Sequence, residues 1–334
     1  MADLSVKYLG LPLKNPIIAG SSGLTRSIND LRQMERSGVA AIAMQSLFEE
    51  QICLDADYQL FKFSKDSLDY MQHSESFGYI DAHIRAEYLS DYVQTIREAK
   101  KKLQIPVIAS INCVSASGWT SFAAKLQDAG ADALELNIAV QQFNSVLSAA
   151  DIEHLHLDII NMVRSAVSIP IAVKISPYFA DLSRVIDNIA KTGIAGIILF
   201  NRFYSPDIDI DRMKLTGAKM YSTPTDLLST LRWIAMKSGR VPCDLCASTG
   251  VHRGSDIIKI LLTGGAATQV VSAVYQHGFG RIAVMLNEIE AWMARKEYNS
   301  IKQFAGKMGS FETETPATYE RIQFMKYHSN AEKQ

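Results

Sequence analysis

The strand-like run IAVKIS carries a single charge, Lys174, in an otherwise apolar stretch. A lone lysine is costly to bury unless its charge is used, so its ammonium should face a ligand. Two chemistries employ such a lysine: a cation set beside an electron-accepting ring, or a Schiff-base amine that attacks a carbonyl. Asn137 in ALELNIA and Asn201 in IILFNR interrupt apolar runs in the same way. One buried asparagine is usually a satisfied structural amide, but two beside Lys174 describe a site for a flat, polar heterocycle. Small residues supply the complement. Thr249-Gly250 and Ser272-Ala273 let backbone N–H groups approach a phosphoryl group, although either pair alone could merely permit a tight turn. His252 and Arg253 follow closely and either add charge there or sit on the surface as ordinary loop residues.

These residues fall at the ends of eight short β-rich runs, 15–21, 39–46, 106–113, 133–139, 170–176, 196–202, 243–249 and 267–273. Amphipathic stretches such as INDLRQMERSG, SFAAKLQDAG and DIIKILLTGG alternate with them, the pattern of parallel βαβ units. Gly38, Gly130 and Gly265 stand where left-handed C-caps would end three of the helices. Eight units close an α/β structure of the (β/α)8, or TIM-barrel, type. An open doubly wound sheet would want a Gly-rich fingerprint after its first strand and usually stops at about six strands. Barrel sites lie at the C-terminal strand ends, which here offer Ala19-Gly20-Ser21, Gln45-Ser46, Asn112-Cys113, Asn137, Lys174, Asn201 and the two small pairs. Before the first strand, LSVKYLGLPLKN reads as a hairpin covering the bottom of the barrel. A long insertion after strand two, roughly 48–82, emerges on the face of the site, where long loops are usually functional or disordered. A single barrel over 1–310 with a polar tail over 311–334 accounts for the chain.

The bulk properties suit a protein with a small-molecule ligand. Lys+Arg 34 against Asp+Glu 35 gives a net charge of -1, without the basic surplus of a nucleic-acid partner. No apolar run approaches the ~18 residues of a membrane span, and MADLSVKYLG lacks a signal-peptide core, which places the protein in the cytoplasm. Cys53, Cys113, Cys243 and Cys246 are too few for a disulfide scaffold. The CxxC pair Cys243/Cys246 lacks nearby partners for zinc and reads as strand thiols. Asp207, Asp209 and Asp211 alternate like a solvated edge, and Trp119 reads as a packing residue that could instead help roof a ring.

NPIIAGSSG, IPVIASIN, GADALELN, IPIAVKISPYF and STGVHRGSD together resemble the class 1 dihydroorotate dehydrogenases over most of the chain. The resemblance implies an FMN-binding barrel that oxidises dihydroorotate to orotate in pyrimidine biosynthesis. In that family a proton leaves C5 while hydride passes from C6 to flavin N5. Lys174 matches the family lysine near flavin N1 and C2=O, where a cation favours the reduced, anionic ring. Ala19, Gly20 and Ser21 would touch the isoalloxazine, Thr249, Gly250, Ser272 and Ala273 would hold the phosphate, and Ser46, Asn137 and Gly217 complete the cofactor set. Asn137 and Asn201 would also hold substrate.

The substrate half departs from the family. The catalytic cysteine of LNLSCPN falls on Val140, which cannot take a proton. The strand-two lysine falls on Gln45, and the asparagine of the orotate loop falls near Glu75, which would repel a carboxylate. The FNRFY-PDID segment is similar to that of a dihydroorotate dehydrogenase-like subgroup. Cys113, Ser145, Ser148 and Tyr178 are the other candidate bases, none at the family position. The rivals are a Schiff-base lyase using Lys174 and a flavoprotein that relays electrons or binds within a complex. Class 1 relatives are dimers or heterotetramers, so the resemblance implies a homodimer and an electron-transfer partner.

Overall fold

The computed structural model describes residues 2–50, 89–113, 116–139, 147–202, 206–217 and 220–310. Most of the expected insertion, with Glu75, lies outside the described residues, as do Val140, Ser145 and the tail 311–334. The chain enters as an antiparallel hairpin, β1 (Val6–Tyr8) and β2 (Leu11–Leu13). Its turn residues Leu9 and Gly10 have φ of 54° and 79°, the mirror-image geometry that a two-residue hairpin turn requires. Next come β3 (Ile17–Ala19), β4 (Ala41–Ala43), the short β5 (Leu47–Phe48), β6 (Val107–Asn112), β7 (Ala133–Asn137), β8 (Ile171–Ile175) and β9 (Gly196–Leu199). A second hairpin, β10 (Pro206–Asp209) and β11 (Lys214–Gly217), precedes β12 (Asp244–Ala247) and β13 (Ala267–Val270).

Eight parallel strands run in the order β4-β3-β13-β12-β9-β8-β7-β6, and β6 pairs back onto β4 through Ile42↔Val107 and Ala43↔Ile108. The barrel is closed. All eight expected strands are present, each ending one to three residues before its expected run does, because the last residues leave the sheet to form the mouth.

Strand side chains alternate sides, and this period of two sorts the core into two parts. Ile42, Val107, Leu134, Val173, Ile197, Leu245 and Val270 point outward against the helices. Residues of the other parity, among them Ile18, Ile108, Ala133, Ala172, Ile198, Cys246 and Ala267, fill the barrel interior together with Tyr8, Leu9 and Leu13 of the first hairpin. Several of these interior residues are alanine, which leaves room for the hairpin to plug the bottom. The Leu9 N–H donates to Asp244 Oδ2 at 2.7 Å, and a Cβ on Gly196 would lie 2.6 Å from Leu9 Cδ2. A side chain at 196 would compete for the space of the plug.

The helices follow their caps. Ser27 accepts the Asp30 N–H at the start of helix Ile28–Ser37, and Gly38 closes it at φ 104°. Gly130 takes the same role at φ 97°. The third cap falls on Gly264 (φ 96°), one residue before the expected Gly265. Helix Gly254–Leu262 ends at Thr263, so Gly264 makes the left-handed turn and the Gly265 N–H returns to the Ile260 carbonyl at 2.9 Å. A glycine is still needed at 265, where a Cβ would sit 2.5 Å from Ile260. Trp119 is buried in the core, Cys246 is buried within β12, and Cys243 just precedes that strand. Burial pushes the Cys243 thiol up to about 12. Among the described residues no helix is long and apolar enough to cross a membrane.

Two outcomes are expected. Leu9→Ala empties the plug and should cost ~2–5 kcal/mol in urea denaturation, as other buried leucine truncations do. His156 is buried, its Nδ1–H donates to the Ile152 carbonyl at 2.7 Å, and burial holds its pKa below the ordinary imidazole value. Its folded pKa therefore lies below its unfolded one, so the unfolded chain binds more protons as the pH drops and stability is lost through about pH 6.5 and below. The urea midpoint should fall between about pH 7.5 and 5.5, and the fall should be shallower in His156→Gln. An identical slope in the variant would remove His156 from the account.

Candidate active site

Above its apolar floor the barrel interior turns polar along the same parity. Ala133 is followed inward by Glu135 and Asn137, Ala172 by Lys174, Ile108 by Ser110, and Ala267 by Gln269. Glu135 is 0% exposed and Lys174 7%. Lys174 Nζ donates to Gln269 Oε1 at 2.9 Å and to Glu135 Oε1 at 3.3 Å, while Gln269 Nε2 donates to Glu135 Oε2 at 2.5 Å. The three side chains form a closed triangle in which each charge has a partner, as burial at this depth requires.

Hydroxyls extend the layer toward β3. Ser110 Oγ donates to Glu135 Oε1 at 3.5 Å and lies 2.6 Å from Ser46 Oγ, which lies 3.2 Å from Ser21 Oγ. The Ser46 N–H donates to Ser21 Oγ at 2.9 Å. Tyr92, on the helix over 89–102, accepts the Ser110 N–H and donates to the Ser110 carbonyl. Burial pushes its phenol well up. On the other side Asn201 Nδ2 donates to Asn137 Oδ1 at 2.9 Å, and Asn137 is the register neighbour of Lys174.

A cleft of about 210 Å³ opens over this layer. Lys174, Gln269, Asn201 and Arg202 line it together with Ser222, Thr249, Gly250 and Ser272, and Ser21 is also at its wall. Ser222 organises the hydroxyl and backbone groups among them. Its N–H donates to Ser272 Oγ at 3.0 Å, its Oγ accepts the Gly250 N–H at 3.2 Å, and the same Oγ lies 3.2 Å from His252 Nε2. Gly250 has φ 81°, and a Cβ there would lie 2.4 Å from the Leu227 nitrogen, so no other residue suits the position. Asp256 Oδ2 accepts the N–H groups of His252 and Arg253, and Arg281 donates twice to the His252 carbonyl. His252 is thus buried behind the lining residue Ser222, its pKa lowered by burial, whereas Arg253 is exposed.

Ser21, Lys174, Asn201, Thr249, Gly250 and Ser272 meet at the cleft, with Ser46 and Asn137 bonded to its lining. Other expected residues do not. Gly217 is exposed at the end of β11, paired with Pro206, because residues 206–217 pair with themselves as a separate hairpin. Ala19 and Ala273 belong to the outer core, since their parity or helix face turns them toward the packed helices. Gly20 packs against the mouth, its Cβ position 2.7 Å from Val271 Cγ2. Of the candidate bases, Cys113 is buried with its thiol pushed far up by burial and then by Glu49. Ser148 caps helix Ala149–Ala166 by bonding Asp151, and Tyr178 is exposed. Asp207 and Asp209 stand on the exposed hairpin strand.

Glu135, Gln269 and Ser222 are the residues that sequence reasoning passed over. Glu135 carried the same signal as Lys174, a lone charge in an apolar strand, two residues before Asn137 and therefore on the same face. Gln269 in ATQVVSA repeated it. Ser222 carried none, for it lies in a loop between elements.

A closed eight-stranded barrel with a polar cleft at its strand ends is the (β/α)8 class, whose sites occupy that face. The family model described as Dihydroorotate dehydrogenase matches residues 3–293. The chain is 24% identical to the dihydroorotate dehydrogenase B (NAD(+)) catalytic subunit of Thermoplasma acidophilum, covering 92% of this chain and 99% of that protein. It is 27% identical to the like-named subunit of Methanosarcina acetivorans, over 89% and 93% of the two chains. With that of Methanosarcina mazei it shares 30% over 64% and 69%. The chain belongs to the dihydroorotate dehydrogenase family, oxidoreductases acting on a CH–CH bond.

Ser222→Ala should cost ~1–3 kcal/mol, because the Gly250 N–H and the His252 ring lose a buried partner together. Thermal unfolding measures it; a loss below ~0.5 kcal/mol would show that the Ser222 hydroxyl does not organise the wall.

Proposed function

We propose that this chain is an FMN-dependent oxidoreductase whose substrate is a planar, polar ring related to dihydroorotate. The observation that carries the reading is a buried, ion-paired Lys174 in the same cleft as Ser222, Thr249, Gly250 and Ser272. Hydroxyls and close backbone suit a phosphate monoester, and an ammonium with amides beside it suits the carbonyl-rich edge of a flavin. FMN, when bound, supplies the electron-accepting ring. Lys174 stabilises negative charge on that ring as it is reduced, Asn137 and Asn201 orient ring edges through their mutual bond, and Ser21 and Ser46 offer hydroxyls at the barrel wall.

The pairing of Lys174 with Glu135 favours a cation over a Schiff-base nucleophile, which would need a neutral amine. Gln45 and Val140, at the positions where the family resemblance implies a lysine and a cysteine base, and Glu75, near that of its orotate-loop asparagine, support a substrate half-site altered from that for dihydroorotate. Val140 also favours a second reading, a flavoprotein that passes electrons within a complex and does not itself turn over dihydroorotate. The relatives are named as catalytic subunits, which supports an electron-transfer partner, and the exposed apolar side chains Ile208, Ile210, Met213 and Leu215 of the second hairpin support a homodimer.

The test is to titrate the apoprotein with FMN and then mix it anaerobically with dihydroorotate. Saturable binding of one FMN, weakened at least about tenfold for reduced flavin in Lys174→Met, is expected. Bleaching by dihydroorotate would assign the family substrate, and bound flavin that stays yellow would favour the altered half-site. A protein that takes up no FMN contradicts the whole reading.

A further inference from the structure

We infer that Glu135 is a positioning residue for the flavin chemistry: with Gln269 it fixes the direction of the Lys174 ammonium and offsets part of its charge, thereby setting the reduction potential of the bound ring. The inference rests on the FMN reading above. An ammonium has three N–H donors, and two are committed below the cleft, to Gln269 Oε1 at 2.9 Å and Glu135 Oε1 at 3.3 Å. Lys174 also lines the cleft, so the third is left for a ligand there. The orientation of the Gln269 amide follows from charge: its oxygen must face the ammonium and its nitrogen the carboxylate, which it reaches at 2.5 Å. Neither partner can turn without breaking a bond to the other.

Glu135 is fully buried, so solvent and salt do little to screen it. A ring over Lys174 experiences a cation close by and an anion just beneath it. The site therefore delivers less positive potential than a lone lysine would, and removing the anion should make the bound ring easier to reduce. A residue that mattered only for folding would weaken oxidised and reduced flavin alike and leave their ratio unchanged.

The experiment is redox potentiometry of the FMN-loaded full chain in four forms: wild type, Glu135→Gln, Lys174→Met and the double variant. In Glu135→Gln, reduced FMN should tighten relative to oxidised FMN by at least about tenfold, a rise of about 30 mV for a two-electron couple. In the Lys174→Met background the same change should produce a smaller rise, because the part of the effect that Glu135 exerts by holding the ammonium is gone and only the direct field of the carboxylate remains. An unchanged or lowered potential in Glu135→Gln, or an equal rise without Lys174, overturns the inference while leaving FMN binding intact. If Glu135→Gln does not fold, Glu135→Asp decides: it draws the carboxylate back from the ammonium by one methylene and should raise the potential by a smaller factor, and an unchanged or lowered potential overturns the inference. Failure of the wild type to bind FMN overturns the parent reading together with this one.

Discussion

The ion pair between Lys174 and Glu135 is the constraint on which the upper half of the barrel depends. An ammonium and a carboxylate have been taken out of water into the interior of a closed sheet, at a desolvation cost of several kcal/mol each, and only mutual pairing with full hydrogen bonding makes that tolerable. The register supplies the geometry. Asn137 on β7 lies opposite Lys174 on β8, so Glu135 sits one inward position below, and the lysine must reach down to meet it. Gln269, arriving from across the barrel on β13, ties the two together. Replacing any one of the three by an apolar residue strands the others, which is why this layer reads as a unit.

The rest of the fold can be understood as what that layer requires. Below it, small interior residues and the Tyr8–Leu9 plug close the barrel against water. Above it, strands end early and their polar terminal residues form the cleft. Toward β3, the chain of hydroxyls from Glu135 through Ser110 and Ser46 to Ser21 gives the buried carboxylate a further donor and carries the polar layer to the barrel wall. A second group, Ser222, Gly250 and the buried His252, is bonded separately, and Arg202 adds a further cation to the cleft lining. Lys174 is thus a charge held rigidly from beneath, beside hydroxyls and close backbone.

The fold was almost entirely legible in the sequence, because the cues that specify it are local. Apolar runs of strand length, amphipathic stretches between them and glycines at helix ends each report on a few neighbouring residues, and even the one misplaced cap, Gly264 for Gly265, is an error of a single position. The site was half legible. Lys174, Asn137 and Asn201 betray themselves as polar residues in apolar strands, and Thr249, Gly250 and Ser272 as small residues at strand ends. Glu135 carries an equally clear signal, a lone charge in an apolar strand, but its meaning depends on the strand parity and register that place it under the lysine. Ser222 and His252 meet across thirty residues of intervening chain, and only the tertiary fold brings them together. Gly217 was expected at the cofactor from resemblance alone; it pairs with Pro206 in an exposed hairpin and is not among the residues lining the cleft.

The role of Lys174 is tested most directly by a crystal structure of the protein soaked or grown with FMN. The isoalloxazine edge should lie within hydrogen-bond distance of Lys174 Nζ, with that nitrogen still bonded to Glu135 and Gln269, and the phosphate among Ser222, Thr249, Gly250 and Ser272. Flavin bound elsewhere, or a ring in the cleft that Lys174 turns away from, would contradict it.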